Sequence, residues 1–123
     1  MTDRITTGAR GEELAADFLH AHGFELLDRN WRCRFGEIDL IARDGRALVC
    51  VEVRSRTSTG FGHPVESITR KKLARMRQVA AIWRAAHPDL RGGLRLDVVT
   101  VMLLPGQPPE IAHLRGVGGE DAR

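Results

Sequence analysis

Residues 36–56 leave this chain few ways to fold. In the first half of the segment Ile38, Leu40 and Ala42 alternate with Glu37, Asp39 and Ile41. In the second half Val49, Val51 and Val53 alternate with Cys50, Glu52 and Arg54. Successive side chains of an extended strand point to opposite faces, so each half reads as a strand, and Glu52 and Arg54 share a face of the second. Asp44-Gly45 between them is a two-residue hairpin signal, because a type I′ turn needs positive φ at both central positions. The predicted hairpin therefore has arms over 36–43 and 47–55, and its turn brings Asp39 close to Glu52. Two neighbouring carboxylates repel and resist desolvation. A divalent cation removes that penalty, and hard cations such as Mg²⁺, or Mn²⁺ in its place, are bound through oxygen. A single acid on a strand is ordinarily solvated or ion-paired. Here Gly36 precedes the first arm, two acids fall in register, and Ile41, Val49, Val51 and Val53 surround them with apolar surface, which favours a functional site.

Helical periodicity flanks this hairpin. Thr7 is the expected N-cap of a helix over 8–22, with Leu14, Ala15, Phe18, Leu19 and His22 as its buried stripe and Gly23 closing it. Phe24, Leu26 and Leu27 suggest a short extended segment, and residues 30–35 lead into the hairpin. Residues 56–64 read as a loop beside the acidic strand, placed to touch a substrate. Thr69 caps a second predicted helix over 70–87, whose buried face is Leu73, Met76, Val79, Ala80 and Trp83 and which His87-Pro88 ends. A strand over 94–104, a turn over 105–109, a short strand over 111–114 and a loose tail from 116 complete the chain. Joining the second hairpin arm to residues 94–104 through a helix calls for a parallel pair. The expected fold is α/β: one domain over 1–115 with a mixed sheet flanked by helices, and no repeat or second domain.

Composition narrows the partners. No apolar run approaches the ~20 residues that span a bilayer. Residues 1–10 are polar and lack the apolar stretch of a secretory signal, so a cytoplasmic location is expected. Cys33 and Cys50 form no Cys-x-x-Cys pair, which disfavours a zinc site or a disulfide framework. The net charge of +3 is unevenly spread: Arg70, Lys71, Lys72, Arg75, Arg77 and Arg84 follow one another with no acid between them. That stripe is either a solvated helix face or a contact for a polyanion held over a metal. Tyrosine is absent and aromatics are few, so contacts to a nucleic acid should be dominated by phosphate rather than by base stacking.

Individual residues carry competing readings. Glu12 shares a helix face with Ala15, Ala16 and Leu19, so it either reaches the sheet or stabilises the helix dipole in the first turn. Glu13 aligns with Asp17 and His20 on the solvated side. Lys72, Lys71 and Arg75 lie three and four apart and form either a phosphate-binding ridge or a solvated face, and Arg56 opens the flexible loop. His63 and Trp83 read as structural, and Arg95 with Asp97 as a local ion pair.

The motifs Gly8-x-x-Gly11-Glu12-x-x-Ala15, Arg29-Asn30, Gly36-Glu37-Ile38-Asp39-Leu40-Ile41, Val51-Glu52-Val53-Arg54-x-Arg56, Lys72 and Arg95-Leu96-Asp97-Val98-Val99 together make the chain resemble, over residues 8–114, the YraN-like family of small bacterial proteins. That family is in turn similar to the PD-(D/E)XK nuclease superfamily, in layout to archaeal Holliday-junction resolvases. The resemblance implies a restriction-endonuclease-like fold and a metal-dependent phosphodiesterase site. Asp39 matches the first motif acid, Glu52 and Arg54 match (D/E)-x-K, and Glu12 matches the first-helix acid of the resolvases. Asp39 and Glu52, with Glu12 and the carbonyl of Val53, would then hold Mg²⁺ or Mn²⁺, while Lys72, Lys71, Arg75 and Arg56 would steady DNA, selected by its shape. A homodimer is implied as well, since two cuts on a symmetric junction need two sites. Two departures stand out: Ile38 replaces proline, and Arg54 replaces lysine. Arginine keeps its proton near neutral pH and cannot be a general base, although it can hold a phosphate oxygen. The sequence thus supports a nuclease first, and as the alternative a nucleic-acid-binding module that kept the fold and lost the reaction.

Overall fold

The computed structural model describes residues 4–58 and 68–117, with side chains from residue 8 onward. Two helices, α1 (Arg4–Ala21) and α2 (Arg70–Ala86), and five strands, β1 (Glu25–Cys33), β2 (Gly36–Asp44), β3 (Ala47–Arg56), β4 (Gly93–Met102) and β5 (Glu110–Leu114), form it. The strands make one sheet in the order β1-β2-β3-β4-β5. All neighbours are antiparallel except β3 and β4, which run parallel as the helical crossover requires. The expected α/β architecture, a mixed sheet with helices on both sides, is the one observed.

Alternation along β2 and β3 divides the core. Leu40, Ala42, Val49 and Val51 pack with Ala15, Ala16 and Leu19 of α1 and with Val99 and Val101 of β4. Ile41, Leu48 and Cys50 pack with Val79, Ala80 and Trp83 of α2 and with Leu96. Full burial of such apolar side chains stabilises by roughly 1.5–3 kcal/mol each before the entropic cost of ordering them. Trp83 also donates from Nε1 to Asp28 Oδ2 at 3.4 Å, which ties α2 to β1. The side chain of Thr69 accepts the Lys72 N–H at 3.2 Å, the expected cap of α2. No helix of the described residues is long and apolar enough to cross a membrane.

Several local expectations are corrected. The helix begins at Arg4, so Thr7 lies inside α1 rather than capping it, and His22 is exposed just beyond its end. The central residues of the β2–β3 turn are Gly45-Arg46, since Asp44 pairs with Ala47. Only Gly45 has positive φ there, at 60°, the pattern of a type II′ turn with glycine in first place. The short segment expected near Phe24 is instead the nine-residue β1, joined to β2 by a second hairpin whose turn is Arg34-Phe35. The register of β1 against β2 shifts between Leu26 and Asp28, and Asn30 has φ of 50°, so period-two alternation is broken within the strand. His63 and residues 59–67 of the predicted loop lie outside the described residues. Of the expected tail, Gly116 donates to Asp97 Oδ1 and Val117 to the Leu96 carbonyl, and residues 118–123 lie outside the described residues.

Candidate active site

The alternation of β2 breaks at Asp39. Leu40 belongs to the α1-side core, but Ile38 belongs to the α2-side core. The β2–β3 ladder stops at the same place, with Leu40 opposite Val51 as its last pair. Beyond it the Asp39 side chain takes over from the backbone: the Val53 N–H donates to Asp39 Oδ2 at 2.8 Å. A strand residue directs its N–H and C=O to the same side, so the Val53 carbonyl also faces β2 here.

Four acids converge on this break. Burial pushes the Asp39 carboxyl up to about 7, with Glu52, then Glu12 and Glu37, adding repulsion and the Val53 N–H opposing it. Glu52 is also raised, first by burial, against the opposing charges of Arg54 and Lys72. Glu12 is raised by burial and lowered by a hydrogen bond from the Asn30 side chain. Glu12 therefore reaches the sheet from α1. Gly11 makes this approach possible, because a Cβ at that buried position would overlap the Ser55 side chain on β3. Glu13, on the solvated side as expected, meets Arg29 of β1 at 3.1 Å.

Glu37 is the acid that sequence reasoning leaves unassigned. It stands two residues before Asp39 on the same strand, and that spacing is the signal that could have found it. It pairs with Arg32 at 3.3 Å across the β1–β2 hairpin.

The cations take different positions. Arg54 Nη2 lies 2.9 Å from Glu52 Oε2, both side chains being about four-fifths buried at 18% and 19% exposure. Its Nε is buried without a hydrogen-bond partner. Lys72, exposed in the first turn of α2, acts on Glu52 through its charge. Arg75 donates to the Phe35 carbonyl at 3.4 Å. Arg56 donates to the Ser55 carbonyl of its own strand at 2.9 Å, and Lys71 is exposed on α2. The structure thus brings Asp39, Glu52, Glu12, Arg54 and Lys72 within electrostatic reach of one another, while Arg75 reaches the β1–β2 turn, Arg56 stays on the end of β3 and Lys71 is exposed on α2.

Among the described residues no group of three or more His, Cys, Asp and Glu side chains is arranged to hold a metal ion. The donor chemistry nonetheless fits a hard cation. Burial and the surrounding acids raise both the Asp39 and the Glu52 carboxyl, with Arg54 and Lys72 offsetting this at Glu52, and Mg²⁺ is commonly held by only one or two carboxylates, with water filling the remaining positions.

A second polar cluster lies on the α1 side of β4. The expected Arg95–Asp97 pair is present, Nε to Oδ1 at 2.9 Å, but it is part of a larger network. His113 Nε2 sits 2.7 Å from Asp97 Oδ2, the Gly116 N–H donates to Oδ1 at 3.0 Å, and Arg95 also meets Asp44 at 3.0 Å. Asp97 is completely buried, and these partners hold its carboxyl below the usual range despite the opposing effect of burial. Every polar atom of that carboxylate is satisfied within the protein, so the network is a structural tie between β4, β5 and the β2–β3 turn.

A family model described as "Uncharacterised protein family UPF0102" matches residues 11–101. The chain is similar to a UPF0102 protein of Beutenbergia cavernae, 51% identical over 96% of this chain and 100% of that one. It is 48% identical to a UPF0102 protein of Renibacterium salmoninarum over the same shares. It is 42% identical to a UPF0102 protein of Mycobacterium tuberculosis over 94% of each chain.

Proposed function

The chain belongs to the uncharacterised protein family UPF0102, and from that premise and the acids around Asp39 we propose that it is a metal-dependent nuclease-like protein of the cytoplasm that hydrolyses phosphodiester bonds in branched or nicked DNA. The observation that carries this reading is the break in the β2–β3 ladder, where a half-buried carboxylate sits beside a second one with two more acids around them. A fold gains nothing from holding four acids at one point, and such perturbed groups cluster at functional sites.

Asp39 and Glu52, with the Val53 carbonyl, would hold Mg²⁺ or Mn²⁺, and Glu12 would complete or tune that set from α1. The bound cation supplies activation of a water and neutralisation of the scissile phosphate. Asp39 is fixed for its role by the Val53 N–H, which leaves its second oxygen for the cation. Arg54 holds Glu52 when no cation is present and presents its guanidinium to a phosphate oxygen when one is. It donates hydrogen bonds only, so water loses its proton to a carboxylate or to solvent and not to this residue. Lys72, Lys71, Arg75 and Arg56 contact the sugar–phosphate backbone around the site, and a homodimer would set two such sites on a symmetric substrate.

The Glu52–Arg54 ion pair favours a second reading. An acid already neutralised by its neighbour needs no metal, and a nucleic-acid-binding module with an inactive site would look the same. Cleavage of supercoiled, branched and single-stranded DNA by the wild type and by Asp39→Ala, with Mg²⁺ or Mn²⁺, separates the two. The nuclease reading expects metal-dependent cleavage by the wild type and at least a hundredfold loss in the variant. Retained DNA binding with no cleavage by pure wild type, and no heat of Mg²⁺ binding by calorimetry, leaves the binding module.

A further inference from the structure

Phe35 is the exposed large apolar side chain of the described residues, at 40% exposure. One exposed apolar residue is ordinary on a protein surface. The placement of this one is not. It occupies a two-residue turn, where a polar residue would be the usual choice, because Cys33 and Gly36 are the last pair of the β1–β2 hairpin. The turn is held rigidly. Gly36 has φ of 148°, and a Cβ there would come within 3.2 Å of Val79 on α2. Arg75 grips the Phe35 carbonyl from α2, and the Arg34 guanidinium lies over one face of the ring, 5.2 Å from its centroid, leaving the opposite face for a ligand.

The perch adjoins the acids. Glu37, two residues beyond Phe35, adds to the charge felt by both Asp39 and Glu52. Phe35 and Asp39 are four residues apart on an extended path, about 13 Å at ~3.3 Å per residue. That span is roughly the rise of four stacked bases. The surroundings are cationic: Arg34 and Arg75 face the turn, and Glu37, the nearby acid, is paired with Arg32. The other aromatic rings of the described residues are engaged in the protein. Phe24 and Trp83 are buried, Trp31 packs on the α2-side core, and Phe18 stacks on His22.

We propose that Phe35 is a specificity-determining residue that stacks, through the ring face opposite Arg34, on an unpaired or unstacked base at a branch point, with the Arg34 and Arg75 charges drawing in the flanking phosphates, so that the β1–β2 turn selects branched over continuous duplex DNA. An aromatic face with cations beside it is the common device for gripping an unpaired base, and an intact duplex offers no free face to it. This inference rests on the nucleic-acid reading of the Asp39–Glu52 site and deepens it by naming what the site's neighbourhood recognises.

The test compares full-length wild type, Phe35→Ala and Phe35→Trp in EDTA, so that binding is read without cleavage. The probes are a continuous duplex and a four-way junction of the same sequences, with 2-aminopurine at a branch-point base. Phe35→Ala should bind the junction about tenfold more weakly, keep its duplex affinity, and lose the fluorescence change at the branch. Phe35→Trp should restore both, which a purely structural residue would not require of an aromatic. Equal binding of the junction by Phe35→Ala and wild type, or equal loss on junction and duplex, overturns the role of Phe35 and leaves the nucleic-acid reading standing. A wild type that binds neither probe at low salt overturns both.

Discussion

At Asp39 burial and three neighbouring carboxylates act against one hydrogen bond from Val53, and the carboxyl ends up titrating at about 7 instead of near its usual 3.8. Between those two values the folded chain holds a proton that the unfolded chain has already released, so this group's contribution to stability falls as pH rises from about 4 to about 7 and stays unfavourable above. A tenfold change in proton affinity corresponds to about 1.4 kcal/mol, so a few kcal/mol are at stake. Asp39→Asn keeps an oxygen for the Val53 N–H and removes the charge. Thermal melts should show the variant more stable than wild type at pH 8 and close to it at pH 4. Mg²⁺ should raise the melting temperature of the wild type at pH 8 and leave that of Asp39→Asn unchanged. A wild type and variant whose stabilities fall in parallel between those pH values would exclude this account of Asp39. Glu52 and Arg54 are legible in the sequence as residues of one strand face because β3 alternates regularly, whereas Asp39 is placed neither by alternation, which breaks at it, nor by an Asp44-Gly45 turn, since the central pair is Gly45-Arg46. The ladder break that lets the carboxylate take the Val53 N–H is not legible either, since it depends on Ile38 packing against α2 while Leu40 packs against α1.

Elements position the site through close approaches that depend on single small residues. α1 lies against β3 at Gly11, where an added Cβ would overlap Ser55, and Glu12 follows immediately. Gly11→Ala should cost about 1–3 kcal/mol through overpacking and should displace Glu12 from the acids. In a double-mutant cycle read by urea denaturation, Ser55→Ala in the same chain should recover part of that loss. Strict additivity of the two changes would show that the contact between the helix and the strand is not the cause. Both helices, the β2–β3 hairpin and the parallel β3–β4 pair follow from periodicity and cap residues, since buried stripes and Thr69 are local signals. β1 reads from the sequence as only a short segment for a physical reason. It is an edge strand with a register shift at Leu26 and Asp28 and a left-handed residue at Asn30, so its pattern has no single period, and its pairing with β2 alone defines its extent. The structural weight of His113 is hidden too, because a histidine on a short last strand reveals nothing until Asp97 is found beneath it.

Over the whole molecule the two polar clusters pull stability in opposite directions with pH. Asp97 is held below its usual range by Arg95, the Gly116 N–H and His113, which together outweigh burial. The unfolded chain therefore takes up a proton before the folded one does, and the stability this group supplies is present above about pH 4 and lost as pH falls through its lowered pKa. Asp39 works the other way above pH 4. Taken together, these two groups place their joint optimum well on the acid side of neutrality, near pH 4. Asp97→Asn strips a completely buried carboxylate from Arg95 and His113, and should lower stability at pH 7 by about 3–5 kcal/mol while leaving Mg²⁺ binding at Asp39 and Glu52 unaltered in any fraction that remains folded. The clusters share no partner, and Asp97 on β4 is separated from Asp39 on β2 by a whole strand, a distance of about 10 Å. Their effects should accordingly add: Asp39→Asn in the Asp97→Asn background should return at pH 8 what it adds to the wild type, within about 0.5 kcal/mol. Chemical denaturation of the four proteins across pH 4 to 8 measures this directly. A coupling well beyond that margin would mean that the tie through β4 and β5 holds the acids in place as well as the fold, and that the molecule cannot relax one end of its sheet without disturbing the other.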